Sequence, residues 1–348
     1  MSHHVSTEQD SPVAKGRQSP PYFRVLPPYP TGWFLISFSK ELKKGQIKSF
    51  TFQGMEVVLY RTDSGNAHML DAYCSHMGAH MGKGGSIEGE LIKCPFHGFC
   101  FDKSGKCVKN AYGTKPSPKT LVRSWHIREF NGLIMAFYNP KTNHVPDWEI
   151  PELDWEDWSD LAFVEFKLKS HPQETAENSV DIGHLKEVHG YQEVKELRPL
   201  HLDGPFLNAK YFMNRPAGIL GKIGKNAHAE FEIFKYGLGY SAVEVDVQNF
   251  GLRNRHFVFP TPIDGEYIYL RIALSLKKIE NGKGFFKLAK YLPFDLRKLI
   301  MPFTLKQYAH DVSQDFDIWQ NKIYINPPVL AKGDGPIFKF RKWAEQFY

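Results

Sequence analysis

The feature that most restricts this chain is a pair of short ligand motifs, Cys74-Ser-His76 and Cys94-Pro-Phe-His97, separated by seventeen residues. Each pair offers one sulfur and one nitrogen, so each must sit on a tight turn that lets its two side chains converge. Gly78, Gly82, Gly84 and Gly85 follow the first pair, and Pro95 and Gly98 lie within or beside the second, where they permit such turns. A structural zinc finger orders its ligands differently, with both thiolates in one pair and both imidazoles in the other. The interleaved order favours a [2Fe–2S] cluster, in which two thiolates hold one iron, two imidazoles hold the other, and the imidazoles raise the reduction potential.

The chain's other cysteines, Cys100 and Cys107, are expected to be reduced thiols on strands beside the cluster loops, and His80 to be an ordinary loop histidine. With 348 residues, 42% of them hydrophobic and 14% aromatic, the chain has material for two cored domains and exceeds a bare electron-carrier module. The net charge of +6, from 44 basic and 38 acidic residues spread along the sequence, gives no nucleic-acid signature and suits docking to an acidic redox partner. Residues 1–21 are polar, without the apolar stretch of a signal peptide, and no segment is apolar for the length of a bilayer span. A soluble, cytoplasmic protein with no integral membrane segment is expected.

Short alternating runs punctuated by Gly, Asn and Asp fill residues 32–138, among them the runs beginning at Trp33, Val57, His68, Leu91 and Leu133. They predict a small all-β domain with the cluster loops between strands. A Pro- and Trp-rich connector over 139–158 marks the boundary. Beyond it come a predicted strand at 162–169, a helix over 172–188, strands from His228 and Ala242, and a hairpin of 255–262 with 267–276 about Asp264-Gly265. A helix-rich segment follows over 285–324. The pattern predicts an α+β domain whose curved antiparallel sheet wraps a long helix.

A cluster that only moves electrons requires a receiver. On the predicted 172–188 helix, Asn178, Asp181 and His184 recur every three residues and form one polar stripe. His189 lies about 140° further round an ideal helix, and Gly190 supplies the terminal break that can swing it inward. Two histidines presented this way suit non-haem Fe(II), which takes two His and one carboxylate and keeps positions open for O2. The carboxylate is expected from a late helix over 305–324, whose apolar stripe runs through Leu305, Tyr308, Val312, Phe316, Trp319 and Ile323. Asp315 borders that stripe and is preferred. Asp311 shares its flank and stays open, whereas Asp317 points away. Asp181, one turn before His184, can accept that ring's second N–H, and can also carry an electron path between the two centres.

With both sites in place, the chain resembles the Rieske non-haem iron oxygenases from about residue 28 to 348. Asp71-Ala-Tyr-Cys-Ser-His-Met-Gly78 and Gln314-Asp315-Phe-Asp-Ile-Trp319, with Asp334-Gly-Pro and Arg341-Lys-Trp-Ala-Glu-Gln-Phe-Tyr348, are similar to bacterial 3-ketosteroid 9α-hydroxylase oxygenase components and, more distantly, to animal cholesterol 7-desaturases. The resemblance implies a Rieske domain over 22–145 after a disordered tail at 1–21, and a helix-grip-like catalytic domain over 146–348. It implies cluster ligands Cys74, His76, Cys94 and His97, iron ligands His184, His189 and Asp315, and catalytic Asn178 and Asp181, with Asp181 bridging between centres. It further implies a head-to-tail homotrimer, a ferredoxin-type reductase delivering NAD(P)H electrons, O2 as co-substrate and a steroid-like substrate. Hydroxylation is the default outcome, with desaturation or oxidative demethylation on the same iron as alternatives.

Motif similarity fades over 190–290, which is expected to line the substrate pocket. Phe206, Tyr211, Phe212, Phe231, Phe234, Tyr236, Tyr240 and Phe257 suit an apolar ligand there, although about half of them are expected to be sheet core. Gly218-Ile-Leu-Gly-Lys-Ile-Gly224 lacks the spacing of a dinucleotide site, so no reductase is fused within this sequence. The mixed apolar and Lys stretch over 285–292 reads most simply as an amphipathic surface helix, with a pocket cover or a membrane contact as the sharper readings.

Overall fold

The computed structural model describes residues 26–216 and 226–348. The tail over 1–21 and the glycine-spaced stretch 218–224 lie outside the described residues.

The N-terminal half holds ten strands: β1 (Gly32–Phe38), β2 (Ile47–Phe52), β3 (Met55–Arg61), β4 (Ala67–Asp71), β5 (Ser86–Glu88), β6 (Leu91–Lys93), β7 (Cys100–Phe101), β8 (Cys107–Lys109), β9 (Ile127–Phe130) and β10 (Leu133–Tyr138). They form three antiparallel sheets in the orders β1-β10-β9, β2-β3-β4 and β5-β6-β7-β8. The continuous apolar run of β3 is explained by burial on both faces: Val57 and Leu59 enter one core with Phe34 and Trp125, while Val58 and Tyr60 enter the core behind Cys74 and Cys94.

The C-terminal half is one seven-stranded antiparallel sheet in the order β11-β17-β16-β15-β14-β13-β12. Its members are β11 (Ala162–Lys169), β12 (Gln192–Asp203), β13 (Phe206–Pro216), β14 (Asn226–Tyr236), β15 (Tyr240–Val247), β16 (Leu252–Pro262) and β17 (Tyr267–Leu276). Among the described residues these α-helices accompany it: α1 (Pro172–Glu177), α2 (Ile182–Glu187), α3 (Arg297–Ser313), α4 (Phe316–Asn321) and α5 (Ile337–Ala344). Strand alternation divides the sheet's two faces. Ile268, Leu270 and Ile272 of β17 meet Tyr308, Val312, Phe316 and Trp319 of α3 and α4 on one face. Tyr240, Ala242, Phe257 and Phe259 pack from the other face against Trp33, Leu35, Phe38 and Phe137 of the N-terminal half. Thr261 and Arg271 both donate to the Leu35 carbonyl, at 2.8 and 2.9 Å, and pin that contact.

Several expectations are corrected. The single helix over 172–188 is two helices, because Asp181 takes an extended backbone and caps α2 by accepting the His184 N–H; Asn178, Asp181 and His184 therefore share no helical stripe. The late helix begins earlier, at Arg297, and breaks between Ser313 and Phe316. The aromatic pocket wall is divided: Phe234, Tyr236, Tyr240 and Phe257 belong to the core between the halves, and only Tyr211 and Phe231 join the core on the helix-bearing face. Phe212 instead lies under the Lys195 ammonium, and Phe206 packs on Tyr236. The β12–β13 hairpin and α5 were not anticipated. Strand β12 is charged and largely exposed, so it carries no alternation to read.

Candidate metal centres

The two ligand motifs occupy loops of equivalent shape. Cys74 N–H donates to the Ala79 carbonyl at 2.9 Å and Gly78 N–H returns to the Cys74 carbonyl at 2.8 Å; Cys94 N–H donates to Phe99 at 2.8 Å and Gly98 N–H returns to Cys94 at 3.2 Å. The returning residue is glycine in both loops, with φ of 75° and 62°, the left-handed region that a side chain would strain. Cys74 and Cys94 are 2% exposed, whereas His76 stands at the surface with its ring stacked on Phe99 at 4.1 Å. The His76 and His97 ring centres are 4.9 Å apart. The loops thus bury both sulfurs, with His76 exposed and His97 half-buried.

Two observations fit this donor set to a diiron cluster. The His97 Nδ1 is buried without a hydrogen-bond partner, a cost that a metal bond would remove. Burial, with the Cys94 thiol as neighbour, pushes the Cys74 thiol up to about 11 despite the opposing His76 N–H, so an adjacent cation is needed to hold it as thiolate. Cys100 and Cys107 are free, buried thiols on β7 and β8. His80 accepts the Gly82 N–H within its loop.

At the second centre, one ligand atom each from His184, His189 and Asp315 lies within 4.8 Å of the others, the only such group of three among the described residues. His184 projects from α2. His189 follows the helix end, where Gly190 at φ 66° donates to the Lys186 carbonyl and Tyr191 to Leu185, turning the chain so that both rings face one point, 5.1 Å apart. Asp315 sits in the break between α3 and α4, 5% exposed, with its Oδ2 3.5 Å from His189 Nε2.

Each imidazole is held through its other nitrogen. His184 Nδ1–H donates to the Asp181 main-chain carbonyl at 2.6 Å, and His189 Nδ1–H donates to Gln314 Oε1 at 2.8 Å, leaving Nε2 of both rings for a metal. The Asp181 carboxylate therefore does not take the ring N–H; it lies 3.8 Å from His184 Nδ1 and caps α2 instead. Burial would raise its pKa, but the nearby His184 ring and the His184 main-chain N–H outweigh this and hold it low. For His189, burial lowers the pKa and the contacts with Asp315 and Gln314 overcome it, raising the value. Two imidazoles and one carboxylate, without a fourth protein ligand among the described residues, is the donor set of an open non-haem iron site.

The other candidate acids are accounted for. Asp311 pairs with Arg215 at 2.8 Å and accepts from Gln307 at 2.8 Å, and Asp317 is exposed. Asn178 closes α1 and accepts from Trp319 Nε1 at 3.5 Å, which ties α1 to α4. Gln314 escaped the sequence reading, although its place beside Asp315 in the quoted motif was the available signal. Glu177 and Arg341 escaped it too: a bidentate pair at 2.6 and 2.8 Å that fastens α5 to α1.

Comparison with known proteins agrees with this arrangement. Residues 32–144 match the Rieske [2Fe-2S] domain, and residues 136–348 match the 3-ketosteroid 9alpha-hydroxylase C-terminal domain. Cholesterol 7-desaturase of Drosophila melanogaster is 30% identical, over 92% of this chain and 76% of that protein. The oxygenase component of a 3-ketosteroid-9-alpha-monooxygenase from Rhodococcus rhodochrous is 26% identical, over 91% of this chain and 79% of its own. Dicamba monooxygenase bound to dicamba shares the fold at TM-score 0.65 and 16% identity, over 91% of this chain and 96% of that one. Pseudomonas putida CBB5 NdmA with caffeine does so at 0.68 and 15%, over 90% and 89%. The chain belongs to the Rieske non-haem iron monooxygenases, in the family whose catalytic domain is that of 3-ketosteroid 9α-hydroxylase.

Proposed function

We propose that this chain is the terminal oxygenase of a multicomponent system that hydroxylates a C–H bond of a steroid-like substrate, with NAD(P)H electrons delivered by a separate ferredoxin-type reductase. Rieske oxygenases use a [2Fe–2S] cluster, mononuclear iron, O2 and externally supplied electrons. The observation that carries the reading is the meeting of His184, His189 and Asp315 at one point, with both rings oriented by bonds to their Nδ1 atoms.

In this reading Cys74, His76, Cys94 and His97 hold the cluster, and His184, His189 and Asp315 hold Fe(II). When bound, the two groups supply single-electron transfer and O2-dependent oxidation, respectively. The protein's part is to hold Nε2 of both imidazoles inward through the Asp181 carbonyl and Gln314. It also keeps Asp315 buried beside them, and limits water at a site whose side chains are 12%, 8% and 7% exposed. Asp181 is assigned the passage of electrons between centres, its carboxylate 3.8 Å from the His184 ring. Asn178 is assigned the positioning of that turn through Trp319. The steroid substrate is supported by the names of the relatives that match along nearly the whole chain.

We assign residues 22–145 to the Rieske unit and 146–348 to the catalytic unit, and a head-to-tail homotrimer in which each cluster serves a neighbour's iron. The test is iron analysis with electron paramagnetic resonance, followed by turnover of a steroid and sterol panel with a surrogate reductase and mass detection. About three irons per chain, a rhombic signal on reduction, and a product heavier by one oxygen are expected. Two irons would leave an electron carrier, and a product lighter by two hydrogens would make the enzyme a desaturase.

A further inference from the structure

Beyond the two centres, the described residues concentrate exposed apolar side chains in one place. Between Gly284 and Lys306 the chain forms a short 3-10 helix (Gly284–Tyr291), a turn, and the first half of α3. Along it Leu288 is 65% exposed, Phe294 51%, Leu299 57% and Phe303 72%. Leu299 and Phe303 stand one turn apart and form an outward ridge, while Tyr308, Ala309 and Val312 of the same helix pack toward the sheet. A surface helix ordinarily turns polar residues outward; apolar residues on both faces imply an apolar environment outside as well.

The charge of the segment indicates what that environment is. Lys287, Lys298 and Lys306 are exposed among the apolar residues and make no close ion pair among the described residues, although Lys298 adds its charge to that around Asp295. The only acid from Gly284 to Lys306 is Asp295, which Arg297 neutralises at 2.9 Å. Lysine is depleted from protein–protein interfaces. Lysine interleaved with Leu and Phe on one face is instead the composition that lies in a bilayer interface and is drawn to anionic headgroups. Among the described residues no helix is long and apolar enough to cross a membrane, and the contact is a peripheral one.

We propose that the face formed by Leu288, Phe294, Leu299 and Phe303, with Lys287, Lys298 and Lys306, docks this protein onto an anionic lipid surface. The ridge at Leu299 and the ligand Asp315 lie toward opposite ends of α3, about 24 Å apart along the helix axis.

The full chain, loaded with iron, is floated with vesicles of phosphatidylcholine alone or with about one-third phosphatidylglycerol. Binding to the anionic vesicles is expected, at least about tenfold weaker to neutral ones and reversed by salt. The Leu299→Ser/Phe303→Ser variant should lose about tenfold of that binding, and Lys298→Glu/Lys306→Glu more, with the visible spectrum of the cluster unchanged. Equal binding of variant and parent, or no binding to anionic vesicles, overturns the proposal. So does a smaller oligomer in the Leu299→Ser/Phe303→Ser variant, which would mean that a second copy covers the ridge. Vesicle binding needs neither reductase nor substrate, so its outcome is separate from whether steroids are turned over.

Discussion

Gln314 and His189 form the hinge of the second centre: the amide oxygen of Gln314 accepts the His189 Nδ1–H at 2.8 Å, and the next residue, Asp315, lies 3.5 Å from the opposite nitrogen of the same ring. In the proposed iron site one dipeptide would therefore orient one ligand and supply another. Gln314→Leu removes the acceptor and frees the ring to rotate. Its affinity for Fe(II) should fall roughly 10–100-fold, with the cluster intact. Asp315→Ala should lose the mononuclear iron altogether. Metal analysis of both variants after dialysis against a chelator measures this, and full occupancy in Asp315→Ala would remove that residue from the ligand set.

Asp181 separates capping from charge. Asparagine can still accept the His184 N–H that caps α2, at 3.2 Å in the parent, but carries no charge beside the ring. Asp181→Asn should keep both metals and its melting temperature while turnover drops by more than tenfold. Asp181→Ala should in addition cost about 1 kcal/mol of stability through the lost cap. Normal turnover in Asp181→Asn would confine the residue to its capping role.

The Glu177–Arg341 pair is expected to anchor α5. Both side chains are about one-tenth exposed, and the guanidinium also lies 4.5 Å from the centre of the Tyr324 ring. Arg341→Leu leaves a buried carboxylate with only Lys322 at 4.0 Å, and should destabilise the chain by about 3–5 kcal/mol in denaturant unfolding. Replacing both partners by apolar residues should recover most of that loss.

Acid sensitivity should arise in part at two imidazoles outside the proposed ligand sets. Burial, aided by the Arg123 guanidinium, holds His144 down at about 4, and burial does the same to His171 at the start of α1. Both folded values lie below the ordinary 6.5, so the unfolded chain binds more protons in between. Their contribution is complete above pH 6.5 and is lost as pH falls toward 4, on the order of 3 kcal/mol each at most. Melting temperatures across that range should fall less steeply in His144→Gln than in the parent, and parallel curves would dismiss the assignment.

Much of this molecule was legible before folding because the residues proposed as ligands are local. Cys74 with His76, and Cys94 with His97, are close in sequence, and the glycines at 78 and 98 announce the turns that hold them. His184, His189 and Gly190 are local in the same way, although the spacing of the two histidines is a weak signal alone and gained its meaning from the cluster motifs upstream. The predicted strands of the N-terminal half were legible from β-rich runs ended by turn residues, and each appears in the structure.

What only the tertiary structure decided depends on residues far apart along the chain. Asp311 and Asp315 share a flank of one helix, and nothing within that helix distinguishes them; Arg215, from a strand ninety-six residues earlier, takes Asp311 and leaves Asp315 to the histidines. The aromatic residues of β14 to β16 look alike in sequence, yet the sheet turns some toward the helices and others against Trp33 and Phe137, because alternate side chains leave a strand on opposite faces. Strand β12 and Gln314 carried no periodic signal at all. Their roles come from partners supplied by the fold: β13 for the first, and an imidazole 125 residues away for the second.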